Sequence, residues 1–164
     1  MVHRITMAVN NQSPYYLIPN GQYAYWGETV SGPQTVNPFT NGSGGVFKAS
    51  AVPWVGSAGV SAYTLSTNNQ GTPDVWLVLL GSDPDWSPED NRARVLMQST
   101  AVFPDKATYN QMFDGKTTVS LPSAHGVFTL TGSIGTEDDC TATFVLTFQQ
   151  GSGVTKEALE VPKP

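Results

Sequence analysis

The chain has 164 residues, a formal net charge of −5 and only 13% charged residues, about half the usual share. Its eight lysine and arginine residues are scattered, which excludes a basic patch for nucleic acid and attraction to anionic lipid by bulk charge. No stretch reaches the ~18 apolar residues that span a bilayer, and the length suits one domain over residues 1–164.

Most segments alternate apolar and polar residues with a period of two, which predicts β-strands. The first predicted strand places Ile5, Met7 and Val9 on one face. Residues 75–81 open with six apolar residues in a row and predict a central strand covered on both sides. Further strands are predicted at residues 22–28, 45–50, 57–67, 92–99, 117–121, 126–134, 140–149 and 154–161.

The second predicted strand carries a cluster of aromatic residues. Its period of two places Ala24 and Trp26 on one face and Tyr23 and Tyr25 on the other. At least one of these rings must therefore point inward and serve packing.

Clusters of glycine, proline and asparagine separate the strands and predict turns. Two of these predicted turns are residues 19–21 (Pro-Asn-Gly) and residues 41–45 (Asn-Gly-Ser-Gly-Gly). About ten short strands at this spacing predict an all-β sandwich or barrel.

One segment, around residues 104–114, departs from the strand pattern and predicts a short amphipathic helix. Asp105 suits its first turn, and Tyr109, Met112 and Phe113 recur at helical spacing on one face. Such a stripe is more typical of core packing than of a ligand platform.

Residues suited to catalysis or metal binding are sparse. His3 and His125 show no metal-ligand spacing with each other or with Cys140, and neither is placed as the base of a Ser-His-Asp triad. The single cysteine excludes an intramolecular disulfide and is predicted to be a small core residue. Residues 137–139 are three consecutive acids, predicted to form a solvated hairpin tip. The sequence thus predicts a non-enzyme without cofactor or metal, although a pair of glycosidase carboxylates leaves no sequence signature.

Four segments carry a family resemblance. Residues 56–66 are a Gly-rich run leading into a strand, and residues 75–95 place Ser-x-Pro, an acid beside an aromatic and an asparagine after an apolar strand. Residues 107–115 carry two aromatics four apart, and residues 126–148 form a closing hairpin. In this order the segments resemble the actinoporins and the related fungal fruit-body lectins, which share one β-sandwich. The resemblance implies an actinoporin-like β-sandwich of about ten strands with one short helix.

The resemblance also implies a ligand site. In actinoporins these segments build a shallow, aromatic-lined pocket for the phosphocholine headgroup of sphingomyelin. Ser82 and Pro84 match the Ser-x-Pro of that pocket, and Tyr109 and Phe113 match two of its helix tyrosines. Asp114 stands where the family has a further tyrosine, so that its carboxylate would attract the ammonium and repel the phosphate.

Residues 81–91 form a loop with one tryptophan among four acidic residues. Trp86 suits stacking on the apolar face of a sugar, with Asp85 and Asn91 accepting hydrogen bonds from its hydroxyls. The same composition also suits a solvated loop whose tryptophan covers the end of the sandwich, and both interpretations stay open.

Each branch of the superfamily has a feature that this chain lacks. Actinoporins carry a pore-lining helix before the first strand, whereas only three residues precede Arg4 here, and pore formation by the family mechanism is therefore not expected. The fungal lectins begin at the first strand, bind galactose- or N-acetylglucosamine-bearing glycans and often form tetramers. Their His-Asn and Trp-Cys-Asp patterns are missing from this sequence.

The leading hypothesis is a lectin-like, non-catalytic cell-surface recognition module, secreted or cytosolic, that binds a glycan or glycolipid headgroup. The alternatives are a membrane-binding cytolysin component that recognises phosphocholine and, third, a sandwich-fold enzyme such as a glycoside hydrolase. The expected partner is a glycan or phospholipid headgroup, not nucleic acid, and a homo-oligomer is an option. The predicted ligand-binding residues are Ser82, Pro84, Asp85, Trp86, Asn91, Tyr109, Phe113 and Asp114.

Overall fold

The computed structural model describes residues 3–50, 56–84 and 91–151. Within these ranges ten strands and one helix form two sheets that pack face to face. The predicted all-β sandwich of about ten strands with one short helix is confirmed. The predicted strand at 154–161 lies outside the described residues.

The strands run almost continuously along the chain, and the helix interrupts them late. The six-stranded sheet has the order β3-β4-β1-β10-β9-β8, and the four-stranded sheet has the order β2-β5-β6-β7. β1 and β10 pair in parallel, whereas the neighbours on either side of them pair antiparallel. The elements are β1 (Arg4–Gln12), β2 (Ile18–Trp26), β3 (Glu28–Ser31), β4 (Thr40–Lys48), β5 (Ser57–Leu65), β6 (Val75–Asp83), β7 (Arg92–Gln98), α1 (Lys106–Phe113), β8 (Thr118–Pro122), β9 (Gly126–Ile134) and β10 (Asp139–Gln150).

The main core lies between the two sheets and follows from the period of two. Ile5 and Met7 of β1 point into it and are completely buried, as is Leu79 of β6. The alternate residues of β6, among them Val78 and Leu80, point to the opposite face of the four-stranded sheet, where α1 covers them. β6 therefore needs apolar residues on both faces, as its uninterrupted apolar run predicts.

Two predicted turns are wrong, because the glycines in them serve strands. Residues 41–45 lie within β4 and pair with β1 across a bulge next to Met7. Residues 19–21 lie within β2, where the register shifts and Gly21 takes a φ of 101°. Glycine supplies the positive φ of a bulge as readily as that of a turn, so composition alone does not separate the two.

The helix α1 forms where the sequence predicts it. The carboxylate of Asp105 caps its first turn by accepting a hydrogen bond of 2.8 Å from the backbone N–H of Thr108. This bond holds the pKa of Asp105 below its usual value. Tyr109 and Met112 are buried against the outer face of the four-stranded sheet. In the described part of the chain no helix has the length and apolarity to cross a lipid bilayer.

Candidate functional site

A pocket lined mainly by aromatic rings lies where α1 ends beside the end of β2. Its cavity volume is about 380 Å³, within the range of small-ligand sites. Two elements supply the walls, namely the end of β2 and the last turn of α1 with its C-cap. The residues of this aromatic pocket are Tyr25, Trp26, Tyr109, Asn110, Phe113 and Asp114.

The aromatic rings of the pocket contact one another in a continuous wall. The rings of Tyr25 and Tyr109 stack with centroids 4.0 Å apart and planes at 10°. The ring of Trp26 lies 5.5 Å from that of Tyr25, and the ring of Phe113 lies 5.8 Å from that of Tyr109. These contacts orient the rings before any ligand arrives, which lowers the entropy lost on binding.

Adjacent residues of β2 reach the same pocket because the strand is irregular at this point. A regular strand would send Tyr25 and Trp26 to opposite faces. Here the register with β5 shifts between Ala24 and Trp26, and Gly27 follows with a φ of 79°. A side chain at Gly27 would collide with the backbone carbonyl of Lys48, so this sharp exit from β2 requires glycine. The predicted assignment of Trp26 to the same face as Ala24 is therefore wrong, since Ala24 packs against the main core and Trp26 against the helix side.

Asp114 lines the pocket at an exposed edge, called its mouth below, and Arg92, which is not a lining residue, pairs with it there. The guanidinium carbon of Arg92 lies 4.2 Å from the centroid of the Phe113 ring, a cation–π contact. Its Nη1 donates to Oδ1 of Asp114 at 2.5 Å and to the carbonyl of Phe113 at 3.2 Å. Because Asp114 is 86% exposed, solvent screens this ion pair and a ligand can replace it at little cost. The mouth thus offers one positive and one negative group side by side.

Two buried hydroxyl groups lie beneath the aromatic wall. The hydroxyls of Ser82 and Tyr109 are both buried and have no protein partner of hydrogen-bond geometry. Burial raises the pKa of Tyr109 to about 12, and the nearby Ser82 hydroxyl opposes this shift in part. The phenol of Tyr109 therefore remains neutral at physiological pH, and its ring, not its buried hydroxyl, faces the cavity.

The predicted ligand-binding residues do not all lie together. Tyr109, Phe113 and Asp114 line the aromatic pocket. Ser82, at the end of β6, lies under Tyr109. Pro84 follows β6 and is buried.

Two of the remaining predicted residues, Asp85 and Trp86, lie outside the described residues. Asn91 is not among the residues that line the pocket. Its side-chain amide donates to the carbonyls of Gly135 and Glu137 at 2.9 and 3.1 Å, so that it fixes the turn between β9 and β10.

The prediction from sequence missed four residues of the site, namely Tyr25, Trp26, Asn110 and Arg92. Tyr25 and Trp26 were assigned to opposite faces, and only the position of Gly27 directly after them hinted at the irregularity. The role of Arg92 could not be predicted, because no sequence pattern links it to Asp114, which follows one strand and one helix later in the chain.

Comparison with solved structures shows which fold the chain shares with known proteins. Neither a protein family nor a curated protein sequence matches the chain. Among solved structures, the lipid-binding protein Nakanori is similar with a TM-score of 0.67 and 16% identity, over 88% of this chain and 70% of Nakanori. The Xerocomus chrysenteron lectin XCL is similar with a TM-score of 0.51 and 11% identity, over 90% of this chain and all of the lectin. At these identities the likeness shows the fold alone, which is the actinoporin-like and fungal lectin sandwich implied by the sequence resemblance.

Proposed function

We propose that this protein is a non-catalytic recognition module that binds the phosphocholine headgroup of a membrane lipid in the aromatic pocket. The single observation that carries the proposal is the wall of stacked rings with an arginine–aspartate pair at its mouth. The lectin hypothesis ranked first on sequence alone. The pocket geometry favours its alternative, the choline headgroup, and we therefore adopt that alternative.

The rings suit the trimethylammonium half of the headgroup. A quaternary ammonium makes no hydrogen bonds and is held instead by aromatic faces, each contributing about 0.5–2 kcal/mol depending on desolvation. Tyr25, Trp26 and Phe113 all line the cavity and present such surfaces. The carboxylate of Asp114 adds a negative charge at the mouth, which favours a cation further.

The arginine suits the phosphate half of the headgroup. The carboxylate of Asp114 alone would repel a phosphate. However, Nη1 of Arg92 lies 2.5 Å from its Oδ1 and neutralises the charge. A guanidinium offers several N–H donors and binds phosphate oxygens in a bidentate manner. When the phosphate of the headgroup binds Arg92, the carboxylate of Asp114 becomes free to pair with the ammonium. The internal Arg92–Asp114 ion pair is thus replaced by two ion pairs, one with each charged group of the zwitterion.

The composition of the pocket also argues against an enzyme. A glycoside hydrolase needs two carboxyl groups that face each other across the scissile bond. The residues that line the described pocket include one carboxylate, that of Asp114. A glycan remains the second candidate ligand, because Asn110 and Asp114 offer acceptors for sugar hydroxyls beside aromatic rings.

The proposal is tested by co-sedimentation with vesicles of phosphatidylcholine, with or without sphingomyelin, and with vesicles of phosphatidylethanolamine. We expect binding to the choline vesicles, competition by soluble phosphocholine and much weaker binding to phosphatidylethanolamine, which keeps the phosphate but lacks the methyl groups.

Two variants locate the binding site. Tyr25→Ala should weaken binding at least about tenfold through loss of ring contacts and of the support for Tyr109. Tyr16→Ala is the matched control, since this half-buried tyrosine lies outside the pocket. Binding that Tyr25→Ala leaves unchanged would contradict the proposal. Binding on a glycan array without binding to any vesicle would return the lectin hypothesis to first place.

A further inference from the structure

A second cluster of polar side chains lies between the two sheets, at the end of the sandwich where β6 ends and β1 begins. His3 directly precedes β1, Asp83 is the last residue of β6, and Asp138 directly precedes β10. The Nδ1 atom of His3 lies 3.1 Å from Oδ1 of Asp83 and 3.7 Å from Oδ1 of Asp138. One ligand atom from each of the three residues falls within 4.8 Å of the other two.

The cluster concentrates negative charge in a buried place. Asp83 is completely buried and His3 is 5% exposed, whereas Asp138 is partly exposed. Burying a carboxylate is unfavourable unless it is paired, and Asp83 shares a hydrogen bond with Nδ1 of His3 that a bound metal ion would replace.

We propose that His3, Asp83 and Asp138 bind a divalent metal ion of the zinc type. Zinc binds imidazole nitrogen and carboxylate oxygen at about 2.0–2.2 Å, which places tetrahedral ligand atoms roughly 3.4 Å apart. The measured separations of 3.1 and 3.7 Å lie on either side of this value. Calcium prefers six to eight oxygen ligands at longer distances, so a compact site with one nitrogen disfavours it.

The proposed ion has three protein ligands, which leaves its fourth position to a water molecule, and it would connect the two sheets. His3 and Asp138 adjoin strands of the six-stranded sheet, and Asp83 belongs to the four-stranded sheet, so the ion would cross-link the two. Asp83 is also the neighbour of Ser82, which lies beneath Tyr109 of the aromatic pocket. A bound ion would therefore brace the strand on which the pocket rests.

The test is calorimetric titration of the full chain, without an affinity tag and stripped of metal by a chelator, with zinc chloride. We expect one ion per chain, a higher midpoint of thermal unfolding with zinc than with calcium, and at least tenfold weaker zinc binding in His3→Ala. The matched control is His125→Ala, which removes the other histidine of the chain and should leave the affinity unchanged.

A second variant keeps the result interpretable if His3→Ala fails to fold. Asp83 is completely buried, and a change there risks the fold, so Asp138→Asn is preferred because this side chain is 22% exposed. It should also weaken zinc at least tenfold while its circular dichroism stays that of the wild type. Cobalt in place of zinc should give the intense visible absorption of a tetrahedral site, and His3→Ala should abolish it. The proposal is overturned if the stripped chain binds no zinc, or if binding survives both variants.

Discussion

Two buried tyrosines that pack on opposite faces of the four-stranded sheet differ in how their hydroxyls are bonded. On the side of the main core, the hydroxyl of Tyr63 lies 2.8 and 2.9 Å from the carbonyls of Gln34 and Ser43 and donates within the protein. On the helix side, Tyr109 is also buried, yet its hydroxyl has the Ser82 hydroxyl nearby and no partner of good hydrogen-bond geometry. Evolution of a stable fold removes such groups or pairs them, so an unpaired one calls for a reason.

The reason is the cavity next to Tyr109, not the missing partner by itself. Tyr15 also has a buried hydroxyl without a protein partner, packed beside Phe128 and Phe148. What distinguishes Tyr109 is that it lines the aromatic pocket and stacks on Tyr25. Tyr63 thus bonds within the fold, whereas Tyr109 lines the proposed site, and the difference can be tested residue by residue.

The largest expected effect belongs to the satisfied polar cluster around Asn11. Its buried side-chain amide donates to the carbonyl of Tyr15 at 2.7 Å and accepts from the N–H and hydroxyl of Ser13 at 3.0 and 2.7 Å. Asn11→Ala should lower the free energy of unfolding by about 3 kcal/mol, because several buried groups lose their partners together. Urea denaturation measures this change in the free energy of unfolding. Asn110→Ala, on the exposed side of α1, is the control and should change stability by less than about 0.5 kcal/mol.

Tyr63→Phe should have the next largest effect. The variant keeps the ring but leaves the carbonyls of Gln34 and Ser43 without this donor. We expect a loss of about 1–2 kcal/mol in the free energy of unfolding. A stability equal to that of the wild type would mean that this hydroxyl does not matter for the fold, and the comparison would fail.

The cap of α1 gives a smaller and pH-dependent effect. The hydrogen bonds from Thr108 lower the pKa of Asp105 below 3.8, so the ionised carboxylate stabilises the native state above that pH and loses this effect as pH falls through the lowered pKa. The gap in unfolding free energy between wild type and Asp105→Ala should be constant from about pH 5 to 8 and shrink below 3.8. Asp105→Asn, which still caps a helix, should keep much of the stability and lose the acid dependence. A gap that widens in acid would contradict this.

Tyr109→Phe should have the smallest effect on stability. Its hydroxyl has no protein partner to lose, so we expect a change within about 0.5 kcal/mol, in either direction. Phosphocholine affinity should also change little, because the hydroxyl is buried and the ring that lines the pocket is kept. Thermal unfolding and titration on the same sample separate the two readouts. A large loss of stability would assign Tyr109 to the fold alone.

The sequence predicted those features that depend on local periodicity. Strand alternation identified Ile5, Met7 and Val9 as core residues, and helical spacing grouped Tyr109, Met112 and Phe113. The turn predicted at residues 41–45 is wrong, because a bulged strand and a turn require the same backbone freedom and both favour glycine.

The sites were harder to predict because their residues come together only through tertiary structure. Tyr25 and Trp26 share a pocket through an irregularity that the period of two cannot express. Arg92 reaches Asp114 across two elements. His3, Asp83 and Asp138 come from three distant parts of the chain, so no ligand spacing can reveal them. Whether any of the eight predicted ligand-binding residues contacts a ligand stays a prediction.

The parallel pairing of β1 with β10 has a consequence for how the protein reaches its structure. Arg4 lies opposite Asp139 and Gln12 opposite Thr147, so nearly the whole described chain separates the two partners. Contacts of such long range make folding slow, typically milliseconds to seconds for β-proteins. During synthesis β1 can pair with β4 early, yet its other edge stays open until β10 has left the ribosome. The centre of the six-stranded sheet is therefore the last part to close, and a chain halted before β10 would expose an unpaired strand edge prone to aggregation.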